Sequence, residues 1–356
     1  VRVLYFGTYE RDYPRNAQVV SCLRGAGVEV VERHVGVWER QRHNWSPGPI
    51  TALRALAAQA RLVLGGRAEG FDAVLVGYPG HLDMAVARRI AGRTPLVFNP
   101  LVSLWDTLVG DRGLATGSPR ARAARWIDRL AFGRADLVVA DTAAHAAYFR
   151  DAFGLAPERL DVCFVGAEDR LFRPGQPAAG PFHALFVGKL IPLHGLDVIL
   201  AAAALAPEVP FRVVGSGQLE PLLRHRPPNV DWLPWVEYER LPGELRAAGC
   251  ALGVFGTSDK AHRVIPNKAF QALACGTPLV TADTPAAREL LVDGRSALLV
   301  PPGDPAALAA AVRRIATDPS LARTLGAGGL AAYREHASEE VLGTRWRLLL
   351  ERLAAA

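Results

Sequence analysis

Residues 263–290 read RVIPNKAFQALACGTPLVTADTPAAREL. Pro266 sets a helix start, a helical run follows, Gly276 ends it, Pro278–Ala282 is a short apolar strand, and Asp283 or Thr284 caps a second helix before Pro285. Helix, glycine turn and buried strand make up the repeating unit of every α/β protein, so one copy decides little. The neighbouring segments decide more.

Working outward, the same alternation continues. Apolar runs at 183–189, 211–215, 230–234, 251–256, 278–282 and 297–301 are each followed by a helical pattern. Nearly continuous apolar strands separated by helices imply a parallel sheet covered on both faces. Upstream, runs at 1–7, 28–34, 73–77, 95–98, 136–141 and 161–166 repeat the plan. Between the two series lies FRPGQPAAGPFH (172–183), whose three prolines suit neither helix interiors nor central strands. The expected fold is therefore α/β, with a first doubly wound domain over 1–172 and a second over 173–338. The tail VLGTRWRLLLERLAAA (341–356) has helical apolar spacing at Val341, Trp346, Leu349, Leu350 and Leu353.

Composition supports this plan. At 356 residues the chain exceeds the size of one hydrophobic core, and 50% apolar with 21% charged residues is globular. No apolar run is long enough to span a bilayer, and the charged start VRVLYFGTYERDYPR does not read as a signal peptide, so a cytoplasmic location is expected. Cys22, Cys163, Cys250 and Cys275 form no CxxC pair, and the nine histidines show no HxH or HExxH spacing, so neither disulfides nor a metal is expected. Residues 1–175 hold 23 arginines and no lysine against 18 acids, a surplus of +5 within a total of +6. That surplus favours an anionic partner or surface for the first half.

Ligands of open parallel sheets bind beyond the carboxyl ends of the strands, which singles out four loops. In FVGKLIPLHGLDVIL (186–200), Gly188 and Lys189 end a strand and His194-Gly195 opens a helix, an arrangement suited to phosphate but equally to an ordinary surface loop. In VVGSGQ (213–218), Gly215 and Gly217 permit close backbone approach to a ligand, or simply a tight turn. Lys260, Arg263 and Lys268 follow a strand within nine positions, which points to a polyanion such as a diphosphate. In TADTPAAREL (281–290), capping accounts for Asp283 and Thr284, while Glu289 sits one turn into the helix.

Taken in order, these loops resemble the retaining glycosyltransferases of family 4, which have the GT-B architecture of two Rossmann-like domains facing each other across a cleft. The resemblance rests on Gly188-Lys189-Leu190 with His194-Gly195, on Gly215-Ser216-Gly217, on Gln271 through Pro278, and on Arg288-Glu289-Leu290 through Asp304. VGAEDRLFRP (165–174) resembles the family's interdomain junction. It implies transfer of a hexose from a nucleotide-diphosphate sugar to the hydroxyl of a glycan, a lipid-linked or a small-molecule acceptor, in cell-surface glycan or glycolipid assembly. No cofactor or metal is implied beyond the donor, and no nucleic acid partner. Lys189 would meet the diphosphate, the 277–290 region with Thr284 and Glu289 would hold phosphate and sugar, and Gln271 would reach the ribose. The family's usual pair of glutamates is replaced here by Arg263 and Gln271, and its usual lysine by His194, which shifts the diphosphate charge onto Lys189, Arg263 or Lys268. On the acceptor side, Asp106 and His81 are the catalytic candidates, with Asp83, Asp111 and Arg112 nearby, and Arg11 and Arg15 in the loop after the first strand. The family's architecture also implies that the last helix, 339–356, returns to the first domain.

Three rivals share these features: a sugar-nucleotide epimerase of the same architecture, a two-lobed solute-binding protein, and a silent relative that binds nucleotide only. Peripheral contact with the inner face of an anionic membrane is a separate expectation. WERQRHNW (38–45), and Arg122, Arg125 and Arg129 beside Trp126, combine basic and aromatic residues.

Overall fold

The computed structural model describes residues 1–11, 13–38, 49–175 and 180–355. The chain forms two compact units, Val1–Phe164 with Glu339–Ala356, and Val165–Ser338.

The first unit runs β1 (Arg2–Gly7), α1 (Pro14–Gly25), β2 (Glu29–His34), α2 (Pro49–Leu64), β3 (Ala73–Val76), α3 (Met84–Ala91), β4 (Leu96–Phe98), the short α4 (Leu104–Asp106), α5 (Pro119–Arg134), β5 (Leu137–Ala140), α6 (Ala143–Phe153) and β6 (Leu160–Val162). All pairings in the sheet are parallel, in the order β2-β1-β3-β4-β5-β6. Leu62 of α2, Ile90 of α3, Phe132 of α5 and Phe149 of α6 pack on one face of it. Val19 and Leu23 of α1 pack on the other face, with Leu342, Trp346 and Leu350. Both faces of β1, β3, β4 and β5 are thus dry, which is why these strands read as unbroken apolar runs, whereas the edge strands β2 and β6 are only part-buried and carry charged residues.

The second unit contains β7 (Ala184–Val187), α7 (Leu196–Leu205), β8 (Phe211–Val214), β9 (Val230–Leu233), α8 (Leu241–Ala247), β10 (Cys250–Leu252), α9 (Asn267–Cys275), β11 (Leu279–Ala282), the one-turn α10 (Pro285–Arg288), β12 (Leu298–Val300), α11 (Pro305–Thr317) and α12 (Pro319–His336). Its parallel sheet has the order β12-β11-β10-β7-β8-β9, the doubly wound order of dinucleotide-binding folds. The final helix, α13 (Glu339–Ala354), belongs to the first unit and supplies Trp346, which is fully buried.

The expected boundary at 172/173 moves to 164/165. Residues 165–172 are fastened to the second unit: the Tyr333 hydroxyl donates to Asp169 at 2.6 Å, and the Phe172 and Tyr238 rings lie 5.6 Å apart. The centre of the expected linker, 176–179, lies outside the described residues, as does the 38–45 stretch apart from Trp38. Trp38 is buried, its indole N–H donating to Thr8 Oγ1 at 3.1 Å.

Candidate functional site

In each sheet the strand order reverses at one place, and the loops leaving the two flanking strands open a crevice there. In the second unit that place lies between β7 and β10. The loop after β7 carries Gly188, Lys189 and His194, and the loop after β10 leads through Lys260 and Arg263 to α9.

Lys268, in the first turn of α9, is the centre of this site. It is 8% exposed, and its ammonium has no hydrogen-bond partner. Its Nζ sits 3.7 Å from the centroid of the Phe186 ring, and a Cβ on Gly188 (φ +146°) would lie 2.9 Å from it. Burial without a counter-ion holds this amine well below the ordinary lysine range. An amine buried without a counter-ion beside a helix N-terminus is an arrangement that an anion would complete by favouring the ammonium form.

His194 closes the adjacent wall. Its Nδ1 lies 2.5 Å from the Lys189 carbonyl, so Nδ1 carries the proton and donates. Burial first, and the nearby Lys268 second, push this imidazole well below its usual range, so it is neutral. The position that resembles a family lysine therefore brings no charge. Lys189 itself is exposed, while Lys260 and Arg263 already have partners. Gly195, at φ +68°, is required because a Cβ there would meet the backbone of Phe255 and Gly256 at 2.8 Å.

The remaining expected residues are less open to a ligand. A Cβ on Gly215 would overlap the Gly188 carbonyl, and one on Gly217 would lie 2.9 Å from the Leu190 carbonyl. Both glycines thus admit the neighbouring loop's backbone, the tight-turn alternative. Gln271 is buried and donates to the Tyr238 hydroxyl at 3.4 Å. Tyr238 in turn bonds to Glu168, which Arg170 holds at 2.8 Å. Thr284 is buried with its hydroxyl accepting from Ala287 N–H at 3.1 Å, so it caps α10, and Asp283 is paired with Arg288. Glu289 follows α10 and is also engaged. Of the two helix mouths in the 263–290 stretch, only α9 is a full helix; α10 is a single turn.

In the first unit the order reverses between β1 and β3. The loops after these strands are tied together by Asp83, a fully buried carboxylate that accepts from Thr8 N–H at 2.7 Å, from the Thr8 hydroxyl at 3.1 Å and from Gln59 at 2.5 Å. Burial outweighs these bonds and pushes its carboxyl up to about 6. His81 is buried too, with Nε2 3.0 Å from the Val102 carbonyl and 3.5 Å from Asp128, and its ring edge-on to Phe98. Burial lowers its pKa, and the ring anchors the 99–106 loop. Asp128 does the same from below, accepting from the Ser103 hydroxyl and from Leu104 and Trp105 N–H groups. Asp106 ends α4, and Asp111 and Arg112 close the helical turn after it, the two acids buried and engaged. Arg11 pairs with Glu32, and Arg15 is fully buried against the carbonyls of Cys163 and Phe164 and the Asn99 side chain. Arg15 is therefore a strut between strand ends and not a contact for an anionic acceptor.

Three features escaped the sequence reading: the loop anchor Asp128, the Glu168–Tyr238–Gln271 chain, and a buried pair in which His145 Nδ1 meets Asp141 at 2.6 Å just after β5. The first two depend on contacts between residues far apart in the chain, whereas Asp141 and His145 stand four positions apart, a spacing that was visible in the sequence. Among the described residues no three His, Cys, Asp or Glu side chains group as a metal site needs, and the four cysteines are buried thiols outside any disulfide.

Comparison with known proteins bears on the family and the fold. The family model described as glycosyl transferase 4-like domain matches residues 1–166, and that described as glycosyl transferases group 1 matches 181–318. A D-inositol 3-phosphate glycosyltransferase of Acidothermus cellulolyticus is 33% identical over 72% of this chain and 64% of its own length. One from Frankia alni is 30% identical over 73% of this chain and 69% of its own. The chain spans 56% of a Streptomyces bingchenggensis relative of the same name. Among solved structures, sucrose-phosphate synthase from Thermosynechococcus elongatus superposes with a TM-score of 0.76 at 20% identity, covering 99% of both chains. Anabaena HepE in complex with UDP-glucose gives 0.73 at 19% identity, also over 99% of both. These two likenesses concern the fold: two six-stranded parallel sheets of the GT-B plan.

Proposed function

The chain belongs to the family 4 glycosyltransferases of GT-B architecture, and from that membership we propose that it is a retaining, metal-independent hexosyltransferase using a nucleotide-diphosphate sugar. The observation that carries this reading is Lys268, a buried and unpartnered ammonium at the mouth of α9 beside Gly188 and Lys189. Lys268 and Lys189 take the diphosphate, and the α9 N–H groups add their dipole as charge develops on the leaving phosphate. Arg263, Thr284 and Glu289 border the phosphate and sugar, Gln271 with Tyr238 the ribose, and the glycine-rich turns at Gly215 and Gly217 keep the β7 loop in place. Neutral His194 fixes the Lys189 backbone without competing for the anion. UDP is the first nucleotide to test, since HepE was solved with UDP and UDP-glucose.

The acceptor hydroxyl belongs to the loops after β1, β3 and β4. His81 serves there as an anchor for Val102 and not as a base, because its ring is closed off by Phe98 and Phe132. Asp106 is the remaining side-chain candidate. Otherwise the leaving phosphate takes the acceptor proton on the side it departs from. The arginine surplus of the first half suits a phosphorylated or lipid-linked acceptor, in keeping with the inositol phosphate relatives, and with a role in glycan or glycolipid assembly next to a membrane.

Replacement of the usual glutamates by Arg263 and Gln271 favours one rival, a protein that binds the donor without transferring it. Calorimetric titration with UDP, GDP, ADP and dTDP, without metal, separates the readings. Selective binding weakened at least tenfold in Lys268→Met and Lys189→Ala is expected, followed by product of retained anomeric configuration. Binding of no nucleotide would remove the donor site, and binding without turnover of any sugar nucleotide would favour the rival.

A further inference from the structure

Helices α2, α3 and α5 cover one face of the first sheet, turning Leu62, Ile90 and Phe132 into the core. Their outward faces depart from the usual pattern in two respects. The first is polarity. On α2, Leu53, Leu56 and Leu64 are 67%, 67% and 85% exposed, and exposed Ala57 and Ala60 fall between them at helical spacing. A helix packed on a globular domain normally turns such residues inward. Here Ala58 and Leu62 already fill the inward side, and the outer leucines stay exposed among the described residues. Trp126 on α5 is likewise 63% exposed.

The second respect is charge. Neither PITALRALAAQARLVL nor MAVARRIA contains an acid, and the one acid of α5, Asp128, is buried under the 103–105 backbone. Against this the layer exposes Arg54 and Arg61 on α2, Arg89 on α3, and Arg122, Arg125 and Arg129 on α5. None of the six pairs with a carboxylate among the described residues; Arg125 lies over the Trp105 ring at 5.5 Å.

We propose that the α2–α3–α5 face docks on an anionic lipid bilayer, the arginines on headgroup phosphates and Leu53, Leu56, Leu64 and Trp126 in the interfacial zone. The charge is complementary to such a surface and to nothing on the face itself. A nucleic acid or acidic protein would satisfy the arginines and leave the leucines in water. A second copy would set arginine against arginine. The surface uses no donor-site residue, so it stands or falls apart from the transferase reading.

Flotation with vesicles of phosphatidylcholine and phosphatidylglycerol, against phosphatidylcholine alone, tests it. The chain is expected to float with the anionic vesicles, less so as salt rises, and to stay in solution with the neutral ones. The combined change Arg122→Ser, Arg125→Ser, Arg129→Ser should lower partition on the order of a hundredfold. The combined change Leu53→Ser, Leu56→Ser, Leu64→Ser should lower it at least tenfold with net charge unaltered. Both variants alter only exposed side chains, so their melting curves and UDP titrations should match the wild type. The proposal fails if the chain floats with neither vesicle, if the variants float as the wild type does, or if the leucine variant changes only the sedimentation mass. That last result would make the face a contact between copies.

Discussion

At the scale of single residues, two buried ionisable groups dominate the chemistry, and both titrate away from their usual range for the same reason, loss of water. Lys268 has no counter-ion within the fold, so its ammonium is disfavoured until an anion arrives. Nucleotide binding should therefore take up protons above the amine's lowered pKa. Titration at one pH in buffers of different ionisation enthalpy should give a positive slope of up to one proton, which vanishes in Lys268→Met; an equal slope in the variant would assign the proton to another group, with His194 the nearest. Asp83 works through stability. Its folded pKa of about 6 lies above the 3.8 of an exposed carboxyl, so the folded chain holds this proton more tightly than the unfolded one. The contribution is complete below pH 3.8 and is lost as pH rises through about 6, falling by roughly 1.4 kcal/mol for each pH step between those two values. Urea melts at pH 5 and 7.5 should show wild type losing ground to Asp83→Asn as pH rises. A pH-independent difference would mean that Thr8 and Gln59 hold the carboxylate better than burial opposes it. Neither group was legible as buried from the sequence, since Asp83 meets Thr8 across 75 residues.

At the scale of elements, the sequence is a good guide wherever both faces are dry. All twelve strands among the described residues appear where an apolar run stands between turn residues, within a few positions at each end. The linker was less legible because proline content marks a break in the backbone pattern, whereas unit membership follows side chains such as Asp169 and Phe172. Helix orientation was harder still. Leu53, Leu56 and Leu64 of α2 face outward while Leu62 faces the core, and no count of apolar residues says which face a helix hides. The crossing of α1 and α13 shows what such packing demands. A Cβ on Gly343 would lie 2.5 Å from the Cys22 carbonyl, so the two helices touch backbone to backbone there. Gly343→Val has no room and should destabilise the first unit by about 2 kcal/mol or more. Denaturant melts would check this, and an unchanged midpoint would show that α13 can shift away from α1 at no cost.

At the scale of the whole molecule, the proposed donor loops belong to one core and the proposed acceptor loops to another. The donor loops belong to the second unit, around Phe186, Ile199 and Val280, while the acceptor loops rise from the first, around Phe98, Val138 and Trp346. A nucleotide that touches only the loops after β7 and β10 can lend its binding energy only to the unit that carries them. At a hundredfold excess over its dissociation constant, that amounts to about 2.7 kcal/mol. Scanning calorimetry with and without UDP should therefore raise the component that belongs to Val165–Ser338 by several degrees and leave the other in place. Lys268→Met should abolish that rise, and Gly343→Val should lower the other component alone. If UDP raised both components together, nucleotide would have to stabilise both units, and the donor site could not be confined to the loops around Lys268.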